Sequence, residues 1–190
     1  MSLTRGWLAG SPVSGPTAKF YRRLSWSSAT FSFMSNVALI MLGGELKRME
    51  KLSGKFADIL SWQYLAMCAL RRYEAEGRQK EDLPFVQWSC EYALAKIQEG
   101  FEGIFSNFPV PVVGSIMRGP VAWWSRMNPV GTMPSDTLGH KVADTLLKPG
   151  PYRDRLKENS YIPKESHEQF AKLEEAFTLV NEGKAIYAKI

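Results

Sequence analysis

Apolar residues return every three or four positions along three long stretches of this chain, and between them the composition shifts to Gly, Pro and charge. That spacing is the mark of amphipathic helices. The first stretch runs from about Pro16 toward Leu42, with Phe20, Leu24, Phe31, Met34, Ala38 and Met41 in register. Further apolar residues widen its stripe, which predicts a central position in a bundle. Its most apolar run, Val37 to Leu42, falls well short of the roughly 20 residues a bilayer span needs, and no transmembrane span is expected there. Gly43-Gly44 either ends this helix or passes through it. The second helix is expected from about Ser53 to Glu76, on a face of Phe56, Ile59, Leu60, Gln63, Met67 and Leu70, with Gly77 as its left-handed stop. The third starts at Asp82, a candidate cap for free backbone N–H groups, with Pro84 tolerated in the first turn. Its stripe is Val86, Cys90, Ala93, Leu94, Ile97, Phe101, Ile104 and Phe105. Thr137 to Leu147 and Ser166 to Lys189 supply later helices; Ser166 with Gln169 forms a capping-box pattern, and Glu168, Glu174 and Glu175 suit the positive end of the dipole.

The expected fold class is therefore all-α: a bundle of four or more helices with Leu60, Met67, Leu94 and Ile97 in the core. Residues 1–15, rich in Gly, Ser and Pro, read as a linker or N-terminal arm, and 16–190 as a single helical accessory domain. Between Phe108 and Pro134 the sequence carries five prolines, three glycines and paired tryptophans, which predicts a long irregular segment inside that domain. So many large apolar side chains need cover. One reading folds Val112, Val113, Ile116, Met117, Trp123 and Trp124 back over the bundle as a lid. The other makes Trp123, Trp124, Met117 and Ile116, beside Arg118 and Arg126, a docking surface for a catalytic portion, a second subunit or a membrane interface.

Composition adds limits. Hydrophobic residues make up 45% and charged residues 23%, a globular balance. The net charge of +5 suits an anionic partner without choosing one, and the basic residues, Arg22-Arg23, Lys47-Arg48, Arg71-Arg72 and Arg153 with Arg155, are scattered as on solvated helix faces. Nucleic acid is not expected as a partner. Cys68 and Cys90 lie in apolar helical patterns and read as two small buried hydrophobes, not a disulfide or metal pair. The N-terminus has Gly, Pro and Ser where a secretory signal has charge followed by an apolar run. Asp136, His140 and Asp144 share one helix face, which more often is a polar surface than a cation site. His167 reads as a surface residue, and Glu45, Glu50, Glu74, Glu76 and Glu91 as helix-surface acids. No metal, catalytic or cofactor-binding residue is assigned within the chain.

The glycine pair Gly43-Gly44, the basic turn Lys47-Arg48, the LSG of Leu52 to Gly54, the LRRYEAEGR of Leu70 to Arg78, the DLPFVQW of Asp82 to Trp88 and the run SDTLGHKVADTLLKPGPYRDRL of Ser135 to Leu156 carry a resemblance. Together they resemble the C-terminal extension of long bacterial acyl-CoA dehydrogenases, the flavoproteins of fatty-acid β-oxidation, over nearly the whole chain. The resemblance implies that FAD, the acyl-CoA site and the glutamate that takes the α-proton belong to an upstream catalytic portion, the expected partner of this chain. It implies a parent oxidoreductase acting on a CH–CH bond, cytoplasmic or peripheral to the inner membrane, and a fragment inactive alone. Because the family's extension is longer on its N-terminal side, Met1-Ser2-Leu3 is expected to be an expression start. The mitochondrial very-long-chain acyl-CoA dehydrogenases carry a helical C-terminal extension linked to membrane association, which makes a membrane- or partner-docking module the alternative by analogy.

Overall fold

Thr17 is fully buried at the head of the first helix, and its Oγ1 donates to Glu74 Oε1 at 3.4 Å, tying that end to the far end of the second helix. The computed structural model describes residues 10–158, 160, 161, 163 and 168–187, with Ala185 in its backbone only. Helix α1 (Ala18–Leu42) stops at Gly43, whose φ of 51° an L side chain rarely adopts, and a six-residue 3-10 turn, Gly43–Arg48, leads into α2 (Glu50–Ala75). The glycine pair thus ends the helix. At the other end of α2, Gly77 takes φ 81°, its N–H donates to Glu74 O at 3.2 Å and Arg78 N–H to Tyr73 O at 2.9 Å. These two bonds form the Schellman closure, so the stop assigned to Gly77 is borne out.

Helix α3 (Leu83–Asn107) begins after Asp82, with Pro84 in the first turn. Asp82 occupies the cap position but its side chain makes no capping bond; its carbonyl accepts from Phe85 and Val86 N–H at 3.1 Å each. Every residue of the expected stripe, Val86 to Phe105, is buried. So are Ala95, Gln98 and Gly100, which makes α3 the central helix. The central role expected of α1 is corrected: α1 inserts Phe20, Leu24, Ser27, Met34 and Ala38 but leaves Phe33, Leu39, Ile40 and Met41 in solvent.

Helix α2 needs a second correction. Its buried residues are Leu52, Phe56, Ile59, Ala66, Leu70 and Tyr73. Leu60 and Met67 sit one position beyond that stripe and are exposed, whereas Leu94 and Ile97 are core as expected. The small Ala66 is the cause. It lets α2 approach α3 closely enough for Cys90 Sγ to lie 4.0 Å from Ala66 O, and Gly100 receives Ile59 in the same way. Cys90 is accordingly buried, but Cys68 is exposed, against expectation.

Of the expected arm, Met1 to Ala9 lie outside the described residues, and 10–15 are irregular. Ser166, His167 and Lys189 also lie outside them. The remaining elements are α4 (Pro111–Ile116), a π-helical turn (Met117–Val121), α5 (Ala122–Met127), α6 (Asp136–Leu146), α7 (Pro151–Lys157) and α8 (Gln169–Tyr187). No strand occurs among the described residues, and the fold is an all-α helical bundle. The chain groups into two compact units, Met1–Ser135 and Asp136–Ile190.

Candidate functional site

The segment expected to be irregular is mostly helical from Pro111 to Met127. Pro120 has no N–H and its ring crowds the preceding turn, so a regular α-helix cannot continue through it. The backbone widens instead into the π turn of Met117–Val121. The extra residue keeps Gly114, Met117, Ala122 and Ser125 facing inward on both sides of the interruption. Trp123 and Trp124 are thereby turned outward, 63% and 40% exposed, together with Ile116.

The inward side is held by Gln98, a buried amide on the otherwise apolar face of α3. Its Nε2 donates to Ser125 Oγ at 2.9 Å and to Ser125 O at 3.2 Å, and its Oε1 accepts from Val130 N–H at 3.0 Å. Gly131 then lies flat on α3, where a Cβ would meet Leu94 Cβ at 2.4 Å. Neither Gln98 nor Ser125 belongs to a recognisable motif, and the one signal in the sequence is a lone amide between Ile97 and Phe101 in an apolar stripe.

Of the six expected docking residues the structure brings Trp123, Trp124 and Ile116 to the surface. Arg118 is exposed beside them in sequence and its Nε donates to Ser106 O at 3.2 Å. Arg126 is exposed and faces Glu102 at 3.6 Å. Met117 is a correction: it belongs to the inward stripe and is buried. The lid reading therefore holds for Met117 and in part for Val113, but not for Val112, Ile116 or the tryptophans.

In the second unit, Glu174 of α8 accepts two hydrogen bonds from Arg153 of α7, at 3.1 and 2.8 Å, and one from Lys157 at 3.0 Å. The Arg153 guanidinium also lies 3.8 Å from the Phe177 ring centroid. Arg153's hydrogen bonds, with Lys157's after them, outweigh the opposing desolvation and hold the Glu174 carboxyl down at about 2. The pair edges a 360 Å³ cleft lined by Leu146, Leu147, Leu156, Phe170 and Phe177. Arg153 is thus part of a built ion cluster, not the solvated face expected from its sequence neighbours.

Asp136, His140 and Asp144 are exposed on α6, and no group of three or more metal-ligating side chains occurs among the described residues. Glu45, Glu76 and Glu91 pair with Arg48, Arg72 and Lys19, and Glu74 receives Arg78 and Thr17. Burial, with Glu91 adding to it, pushes the Cys90 thiol up to about 12, which leaves it protonated and inert.

On length and composition, Ala18–Arg48 qualifies as a membrane-crossing helix, with a mean hydropathy of 1.3 over its best window. This window is longer than the Val37 to Leu42 run that the sequence pattern singles out. Only 11% of that window is buried, while α1 packs into the core mainly through its first half, Phe20, Tyr21, Leu24, Trp26 and Ser27, whose Oγ accepts from Gln63 Nε2 at 2.7 Å.

Fold and site together describe an all-α domain whose most distinctive feature is exposed apolar surface on a well-packed helical core. The family described as acyl-CoA dehydrogenase, C-terminal, bacterial type, matches residues 1–190, and the chain belongs to that family. No solved structure matches it.

Proposed function

We propose that this chain is the noncatalytic C-terminal portion of a flavin-dependent acyl-CoA dehydrogenase of fatty-acid β-oxidation, and that the Trp123–Trp124 face docks it on the upstream catalytic portion. The observation that carries the reading is the outward turn of both indoles on a segment that Gln98 and Ser125 clamp to the core. Two large aromatic side chains held in water by a rigid support are what an interface core supplies before its partner arrives. The family membership supports an acyl-CoA dehydrogenase as the parent. FAD is assigned to the upstream portion.

The test is calorimetric titration of the chain with the catalytic portion encoded upstream in the same reading frame. Saturable binding is expected, weakened at least about tenfold by Trp123→Ala/Trp124→Ala, since interface tryptophans commonly contribute 2 kcal/mol or more. Equal affinity of the double variant and the native chain removes the tryptophans from the contact. No association at all removes the docking role.

A further inference from the structure

The 360 Å³ cleft of the second unit is apolar and lies open to water. Leu146 and Leu147 at the end of α6, Leu156 on α7 and Phe170 on α8 form its walls, and each is between 37% and 58% exposed. An apolar guest that covered them would recover the free energy of removing that surface from water. Charge marks the rim. The ionised lining residues are Arg153, Lys157 and Glu174, two cations against one carboxylate, which leaves a surplus of one positive charge. Glu174 cannot answer that surplus, because its carboxylate already accepts two hydrogen bonds from Arg153 and one from Lys157 Nζ. The Lys157 ammonium carries three protons and gives one of them to Glu174, at 3.0 Å. The Lys157 side chain is 27% exposed and that of Arg153 16%, so water screens the surplus charge poorly. Asp154, the acid beside Arg153 on α7, is exposed and does not line the cleft.

Size and charge together select the guest. A protein partner covers roughly 20 to 30 residues a side, whereas nine described residues line this cleft, whose volume suits a small molecule. A neutral aliphatic molecule would fill the walls and leave the surplus charge unanswered. A nucleotide or coenzyme A would bring several phosphate charges against a surplus of one. An aliphatic monocarboxylate meets both demands. We propose that the cleft binds such a molecule, its chain against Leu146, Leu147, Leu156 and Phe170 and its carboxylate accepting from Lys157 Nζ. Glu174, itself held by Arg153, fixes that ammonium in place. The site does not depend on the role proposed for Trp123 and Trp124.

The test is isothermal titration of the 190-residue chain with decanoate, with decanol and decanoyl-coenzyme A titrated beside it. Saturable binding of decanoate is expected, together with a rise in melting temperature. Decanol should bind at least about tenfold more weakly, since it lacks the charge-assisted hydrogen bond. Lys157→Met keeps the apolar stem and removes the charge, so it should weaken decanoate binding about tenfold, while Lys157→Arg should retain it. Leu147→Ser, at an exposed position, should weaken it at least about fivefold through lost apolar contact. Melting of each variant without ligand shows that it folds, and the comparison of decanoate with decanol needs no variant. The proposal is overturned by an absence of saturable binding, by a melting temperature that falls with decanoate, or by equal affinity for decanol. It is equally overturned if folded Lys157→Met binds decanoate as well as the native chain does. Tighter binding of decanoyl-coenzyme A than of decanoate would give the cleft to a thioester and overturn it as well.

Discussion

Leu94 is fully buried in α3, with Gly131 pressed against it from the segment that returns over the helix. Leu94→Ala should therefore leave a cavity whose walls cannot readily collapse and cost about 2 to 5 kcal/mol by chemical denaturation. A shift below about 0.5 kcal/mol would be a surface value and would undo the face assigned to α3. Glu174 permits a prediction in pH. Its folded value near 2 lies below the ordinary 4.5, so its contribution is complete above the ordinary value and disappears as pH falls toward 2. The contribution should be about 1 kcal/mol, because Glu174, Arg153 and Lys157 all keep some contact with water. Measured against Glu174→Gln, the native chain should hold its advantage at neutral pH and lose it on acidification. A gap that stays constant with pH would mean the carboxylate acts by packing alone.

Two glycines separate local from tertiary demands at the level of the element. Gly77 has room for a Cβ, its nearest neighbour being Gln79 Nε2 at 3.7 Å, so Gly77→Ala meets only the left-handed backbone, at about 1 kcal/mol. Gly131→Ala would bring a methyl against Leu94 Cβ at 2.4 Å and the α3 backbone at 2.6 Å. It should push the 122–130 segment off α3, cost about 1 to 3 kcal/mol, and change the Trp123–Trp124 fluorescence as Gln98 loses Ser125 and Val130. Thermal melts that rank Gly77→Ala as the more damaging would contradict this placement. The helix stop at Gly77 was legible in sequence because it depends on five neighbouring residues. The role of Gly131 was not, because its partner lies 37 residues away in α3.

For the molecule as a whole, the purified chain should be colourless and should not reduce an artificial electron acceptor in the presence of acyl-CoA. A stoichiometric flavin absorption band, or acyl-CoA-dependent reduction of the acceptor, would place the chemistry in this chain after all.

What sequence alone determined is the set of properties decided over one helical turn or by bulk. The helices α1, α2, α3 and α6 appear within a few residues of their expected bounds, because periodicity and glycine stops act locally. The large apolar residues of the α3 stripe are all legible in the sequence because they are central and buried, whereas the buried Ala95, Gln98 and Gly100 are not. Tertiary structure decided the rest. It chose the face of α2 through Ala66, a residue whose small size is invisible to a hydrophobic pattern and decisive at a close helix contact. It joined Arg153 and Lys157 to Glu174 across a gap in sequence that no spacing rule spans. At Pro120 the helix widens into a π turn, Gln98 holds the flank beyond it through Ser125, and Met117 faces inward while the two tryptophans face out.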